Sequence, residues 1–510
     1  MSAKPWDVRL RRVTWEPYPK TWSVRRRCRI LIAIGLPCVV WYFGWLLDVP
    51  ARHGTPVLYG ILIVAEVFNL SQGLGFWWTV AHEWVRPRRA PTQYVAVDVY
   101  IPVYKEPPDI VDLTIVGAKG MSGAEVRVHV LDDGNDPAMR EVALRHGVGY
   151  ITRAEHTGAK AGNINHALTK TNAPFIAVFD ADHVADADFL EATMGWLEDP
   201  EIAFVQTPQY YANTENNRIA AASMSQQALF FGPICRGKDG LGAVFCCGTC
   251  VVFRREAFES VGGFPTNSLT EDFELSIHLH ERGWKSAYVP DVLSRGVGPE
   301  DTAAYISQQQ RWARGCLSGV PRALRARLPI GLKIQYLLSG VYWLSGWTLL
   351  VYMSFPVVRL LGGGQPIGHI NAPEFLLHFV PYYAVALSMA AVGGAGSYKF
   401  SAYALSAANF WIQILATFYV VLRKTGSFVV TPKKGAAVRQ PRAVMPTLVT
   451  VGVLLGACIY GLVKNRDAAT INNVSFAAVH ISILMTGCWA ALQKPPAPAE
   501  STLAPAEAVA

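Results

Sequence analysis

The stretch "FIAVFDADHVADADFLEAT" (175–193) decides how the chain folds. FIAVFDAD (175–182) is a short apolar run ending in two aspartates, and a helix candidate follows at 186–198. Strand, turn and helix together make the repeating unit of an α/β layer. The rhythm continues on both sides of this stretch. YVAVDVYI (94–101), VRVHVLDD (126–133) and AFVQTPQY (203–210) are strand-like, and 137–146 and 160–170 are helix candidates. The predicted fold is α/β with a mainly parallel sheet.

Ligands of such sheets collect at the carboxyl ends of the strands, and acids stand there. Asp180 and Asp182 close one strand; Asp132 and Asp133, followed by Gly134, close another. On an extended end, Asp-x-Asp aims both carboxylates to one side. That suits a hard cation such as Mg²⁺ or Mn²⁺, which completes its shell from water and substrate phosphate. Taken alone, Asp180 and Asp182 read first as a turn that caps the next helix, and Asp132-Asp133-Gly134 as a turn and nothing more. A third acidic station, SLTEDFELSIHLHERGW (268–284), reads as a helix start with a capping box at Thr270, and it places Asp272 in the same domain. The fourth station is YISQQQRWARG (305–315). Its i, i+3, i+4 spacing puts Gln308, Arg311 and Trp312 on one helical face. The plainer account of that face is an interfacial helix with snorkelling arginines. The order of stations suggests a diphosphate with its metal, a base, and a flat apolar acceptor.

Composition excludes an ordinary soluble enzyme: of 510 residues, 51% are hydrophobic and only 16% charged. The apolar residues cluster in runs long enough to cross about 30 Å of hydrocarbon, at 30–47, 57–80, 334–361, 374–392, 443–463 and 474–492. Between the two groups lies a mixed-polarity region, 93–325. A further apolar run, 403–422, is read as lying along the interface. Lysines and arginines crowd both the first 29 residues and the segment 423–442. Both segments are cytoplasmic only with six spans, two before the soluble domain and four after. The basic start has no cleavage site of the secretory type. Glu66, inside the second span, is expected to face the bundle or the channel because a lipid-facing carboxylate is costly. The net charge of +8 sits mainly beside the membrane, which points to anionic lipid and not to nucleic acid. Nine cysteines show no disulfide framework and no zinc spacing. The Pro/Ala-rich end, 493–510, reads as a disordered tail.

Eight segments in order carry a family resemblance: PVYKE (102–106), LDDG (131–134), AKAGNINHAL (159–168), DADH (180–183), FCCGTC (245–250), TED (270–272), QQQRW (308–312) and FVVTPKK (428–434). Together they resemble the processive inverting glycosyltransferases of family 2, most of all the catalytic subunits of bacterial cellulose synthases. The resemblance implies a cytosolic GT-A domain (93–325) inserted in an α-helical membrane bundle, with an interfacial helix and gating loop at 403–442. It implies a UDP-sugar donor, UDP-glucose first, with Mg²⁺ or Mn²⁺ as cofactor and a growing glucan chain passed across the bacterial plasma (inner) membrane to envelope proteins. Carried over by match, Tyr104, Glu106, Asp132 and Asp133 contact the nucleotide, while Lys160, Gln308 and Arg311 hold the diphosphate. Asp180, Asp182 and His183 bind the metal. Asp272 is the base, and Glu271, Cys247 and Trp312 meet the acceptor. Phe428, Val430, Thr431 and Lys433 form the gating loop. Val103 and Lys105 depart from the family's usual residues, and no segment for a cyclic-di-GMP-binding barrel is expected after the last span.

The chemistry expected is transfer of glucose to the non-reducing end of a β-1,4-glucan. Alternatives are a β-1,3- or mixed-linkage glucan, a GlcNAc polymer, transfer of one sugar to a lipid, or a transporter or receptor without activity. Tyr342, Trp343 and Trp347 in the third span either extend an aromatic sugar platform from Trp312 or are ordinary membrane aromatics.

Overall fold

The computed structural model describes residues 22–48, 54–215, 217–368, 372–423 and 440–493. Phe428, Val430, Thr431 and Lys433 lie outside the described residues, as does the 494–510 tail. The strands are β1 (Ala96–Val103), β2 (Glu125–Asp132), β3 (Gly149–Thr152), β4 (Phe175–Val178), β5 (Val184–Ala185), β6 (Ile202–Gln206), β7 (Val251–Arg254), β8 (Lys285–Tyr288) and β9 (Ser294–Arg295). Seven form one sheet in the order β3-β2-β1-β4-β7-β6-β8, and β5 pairs with β9. The β3-β2-β1-β4 half is parallel. β7 runs antiparallel to both β4 and β6.

β1 explains why the domain has two cores. Alternate residues of a strand face opposite sides. Val97, Val99, Ile101 and Val103 pack into one apolar cluster, and Tyr100 packs into the other. Its one buried carboxylate, Asp98, takes hydrogen bonds from Arg255 Nη2 (2.8 Å) and from the Ala173 amide (2.9 Å).

Among the described residues, six helices are long and apolar enough to cross a membrane: Val24–Asp48, Pro56–Ala81, Ile330–Gly362, Pro373–Gly393, Pro441–Lys464 and Ala468–Leu492. Each of the six apolar runs expected to span lies in one of them. The ambiguous run is a bent pair, Phe400–Ala408 and Phe410–Val421, at 46°. The break falls at Asn409, whose Nδ2 donates to Leu405 O at 2.8 Å. The first half packs on Ala468–Leu492 and on helix Arg218–Leu229, the second on Thr302–Arg325. Glu66 faces the bundle as expected, accepting from the Tyr352 hydroxyl at 2.8 Å.

Candidate active site

The first acid station lies at the end of β2. Asp132 turns back on its own loop: Oδ1 accepts the Gly134 amide and Oδ2 accepts the Asp136 amide and the Tyr150 hydroxyl, all at 2.8 Å. Asp133 instead lines a cavity of about 810 Å³ together with Tyr104 and Glu106. Arg153 grips Asp133 with Nε at 2.6 Å and Nη2 at 2.7 Å, and His156 Nδ1 is at 3.0 Å. Burial pushes this carboxyl up, but Arg153 and His156 bring it below the usual range.

The second station departs from the strand-end reading. β4 stops at Val178, and Asp180 and Asp182 sit in a turn closed by the His183 amide on Asp180 O (2.9 Å). Both carboxylates still line the cavity, as does His183. Lys160, near the start of helix Ala159–Leu168, donates to Asp180 Oδ1 (2.5 Å) and to Gly248 O (2.7 Å). Burial opposes the Lys160 charge, yet Asp180, Glu271 and Asp272 raise its pKa overall. Burial opposes ionisation of Asp180 too, and Lys160 and His183 outweigh it.

The expected metal trio is not formed as a trio. Among the described residues no three His, Cys, Asp or Glu side chains group to hold a metal. His183 Nδ1 turns to Asp182 Oδ1 at 3.3 Å, and its Nε2 is buried without a partner among the described residues. What fits is a pair of carboxylates, Asp180 and Asp182, facing a polar cavity. A Mg²⁺- or Mn²⁺-type cation drawing its other ligands from a diphosphate suits such a pair.

The third and fourth stations meet. Thr270 precedes helix Glu271–Glu281 but its side chain makes no cap, so the expected capping box is absent. Glu271 and Asp272 face the cavity instead. Burial and the charge of Glu271 push Asp272 up to about 7, against the pull of the Phe273 amide, Lys160 and Arg311. Gln308, Arg311 and Trp312 lie on helix Thr302–Arg325 and all line the same cavity, as their spacing predicts. Gln308 Nε2 donates to the Tyr211 hydroxyl at 3.2 Å while its Oε1 is buried without a partner among the described residues.

Gly315 lets this helix come so close. A Cβ there would sit 2.2 Å from Thr270 Cγ2. Gly315→Val is expected to force the helices apart and to move Arg311 and Trp312 from Asp272. Ångström-scale misplacement typically costs on the order of 10²-fold in rate. The check is turnover alongside the unfolding temperature, and full turnover in the variant would show that the close approach is dispensable.

Cys247 also lines the cavity, its amide donating to Gln206 Oε1 at 2.8 Å. Burial and the neighbouring Cys235 push its thiol well above the ordinary value, so it offers a neutral surface and no thiolate. Toward the membrane the wall is made by Gln72, Phe76 and Thr79 of the second span, and by Gln335, Leu338, Tyr342 and Trp343 of the third. Trp347 is directed elsewhere, to Thr417 Oγ1 at 3.1 Å. Sequence reasoning missed Asn163, whose Oδ1 is a buried acceptor in the cavity wall without a partner among the described residues. The Asn within AKAGNINHAL was its one available signal. Unsatisfied atoms on His183, Asn163 and Gln308 mark a cavity shaped for a polar ligand.

Residues 175–421 match glycosyl transferase family group 2. The chain is similar to putative cellulose synthase 2 of Komagataeibacter xylinus, 32% identical over 467 residues, covering 86% of this chain and 30% of that protein. It is likewise similar to the UDP-forming cellulose synthase catalytic subunit of Pseudomonas fluorescens, 33% identical over 431 residues, covering 80% of this chain and 58% of that protein. It thus spans less than two thirds of either relative. Among solved structures, the mannosyltransferase PcManGT of Pyrobaculum calidifontis, a complex with GDP-Man and Mn²⁺, aligns with a TM-score of 0.54 at 18% identity. That alignment covers 72% of this chain and 100% of PcManGT, and the shared architecture is the GT-A fold.

Proposed function

We propose that the chain, whose residues 175–421 match glycosyl transferase family group 2, is a membrane-embedded processive β-glycosyltransferase, polymerising glucose from UDP-glucose into a β-1,4-glucan and passing the chain across the plasma membrane. One observation carries this reading. Asp272, Lys160, Arg311 and Trp312 line a single cavity whose wall continues onto two helices of spanning quality.

The groups have distinct tasks. Asp272 takes the proton of the acceptor hydroxyl as it attacks the anomeric carbon, and a carboxyl titrating near neutrality suits a general base. The bond to the diphosphate breaks as the new glycosidic bond forms, with inversion. Lys160 and Arg311 face the negative charge that develops on the leaving UDP. A divalent cation held by Asp180 and Asp182 would add positive charge at the same place. Asp133 and Glu106 stand at the nucleotide end. Trp312 offers an aromatic plate to the CH face of the acceptor sugar. The soluble domain lies on the cytoplasmic side, where UDP-sugars are made, and the basic residues Arg25, Arg26, Arg27 and Arg29 at the start of the first span agree with that orientation.

The test is incorporation of radiolabel from UDP-glucose, UDP-GlcNAc and UDP-galactose into ethanol-insoluble product, followed by linkage-specific glucanases. Label from UDP-glucose released by a β-1,4-glucanase supports the reading. Insoluble product resistant to that enzyme changes the linkage, and label found only in lipid removes processivity. Trp312→Ala is expected to shorten the product and lower yield about tenfold, the equivalent of one lost stacking contact. Product of native length would remove Trp312 from the acceptor site.

A further inference from the structure

The segment CRGKDG (235–240) forms a short helix, Cys235–Gly240, between the soluble domain and the end of the Pro56–Ala81 span. Two of its three charged residues fasten that joint. Arg236, only 2% exposed, pairs with Glu83. Asp239 takes a fork from Arg86, with Nε to Oδ2 and Nη2 to Oδ1 both at 3.0 Å. Gly237 permits the contact: a Cβ on it would fall 2.2 Å from Thr79 O.

Lys238 is different. It is 3% exposed and lines the cavity, and among the described residues its contacts are with neutral groups. Nζ donates to Gln335 O at 3.2 Å and Gln335 Oε1 at 3.1 Å, and lies 5.4 Å from the Phe245 ring centroid. Gln335, itself 1% exposed, donates in turn to Thr79 Oγ1 at 2.9 Å. Gln335 and Thr79 belong to the third and second spans, so this chain of contacts lies where the cavity meets the membrane helices. Burying an ammonium with no carboxylate is costly. Burial outweighs the opposing influence of Cys235 and Cys247 and brings Lys238 down to about 8, and near neutrality the cation still predominates. An ammonium carries three protons; Gln335 accepts two, and the third remains for whatever fills the cavity.

We propose that Lys238, held by Gln335, is a glycan subsite at the membrane entrance, donating its third proton to a ring hydroxyl of the acceptor chain behind the sugar at Asp272. The inference rests on the polymer reading above and extends it to a residue outside the reacting centre. A charge-assisted hydrogen bond to a neutral hydroxyl is stronger than a neutral one. Its loss weakens grip on the chain and leaves Asp133 and Glu106 to bind UDP as before.

Lys238→Met keeps the length of the side chain and removes the charge. With the full-length enzyme in detergent and a β-1,4-oligoglucoside as acceptor, the expected result is about a tenfold higher acceptor KM and shorter products. UDP affinity and the unfolding temperature serve as the folding control. Native acceptor KM and native product length in a folded Lys238→Met enzyme overturn the inference while leaving the polymer reading intact. No polymer from the unaltered enzyme with any UDP-sugar removes both. Should the variant fail to fold, the unaltered enzyme with a trapped oligosaccharide decides by structure determination. A sugar oxygen within hydrogen-bond reach of Nζ supports the subsite, and a chain that passes without touching Nζ overturns it.

Discussion

Asp272→Asn is expected to lower glycosyl transfer on the order of 10³-fold while UDP binding persists, because a positioned base contributes roughly 10²–10⁴-fold. Asn keeps the shape of the side chain and cannot accept the acceptor proton. The unaltered enzyme should show kcat/KM rising with pH and levelling above about 7, where Asp272 is ionised. In the Asn variant that limb disappears. Stability should move the other way. An unfolded aspartate titrates near 3.9, so a folded value of about 7 means the native state holds this proton more tightly. Above that value the buried charge destabilises the fold, and stability contributed by this group falls as pH rises from about 4 to about 7. Removing the charge should therefore raise the unfolding temperature at pH 8. Loss of turnover with a gain in stability is the signature of a residue kept for chemistry. Substantial polymer synthesis by the Asn variant would remove Asp272 from the base role.

How much of this was legible in the chain differs from station to station. The helical face of Gln308, Arg311 and Trp312 was fully readable, because i, i+3, i+4 spacing survives any tertiary setting. The six apolar runs were readable by length alone. Asp180 and Asp182 reached the cavity although the extended strand expected there ends at Val178; the turn delivers both carboxylates in its place. YVAVDVYI (94–101) begins two residues before the strand Ala96–Val103, and AFVQTPQY (203–210) runs past the strand Ile202–Gln206, since apolar patterning does not record where ladder hydrogen bonds stop. β7 is a short apolar run, VVFR, but its antiparallel insertion between β4 and β6 depends on contacts distant in sequence. Lys238 was illegible for the same reason. A lysine in a polar-looking RGKDG reads as surface, whereas packing of this helix against the second and third spans buries it.

Lys160→Met should lower turnover on the order of 10²–10³-fold, the usual effect of deleting one preorganised electrostatic group, with a pH signature that separates it from Asp272→Asn. In the structure Lys160 Nζ bridges Asp180 Oδ1 and Gly248 O, amid the charges of Glu271 and Asp272. Its removal has two consequences. The leaving diphosphate loses a cation, which depresses the rate at every pH. Asp272 loses one of the groups that hold its pKa down, so the base should titrate above about 7 and the acid limb of kcat/KM should shift to higher pH. Activity of Lys160→Met measured at pH 7 should therefore recover in part at pH 8.5, whereas Asp272→Asn should gain nothing there. Lys160→Arg retains the charge but brings a planar fork in place of a compact ammonium, so it should restore the position of the limb more fully than the rate. A profile for Lys160→Met that overlies the native one after scaling would mean that Lys160 does not act on Asp272. Native turnover in that variant would dismiss its part in stabilising the departing UDP, and with it the view that the cation facing Asp180 is there for the diphosphate and not merely for the fold.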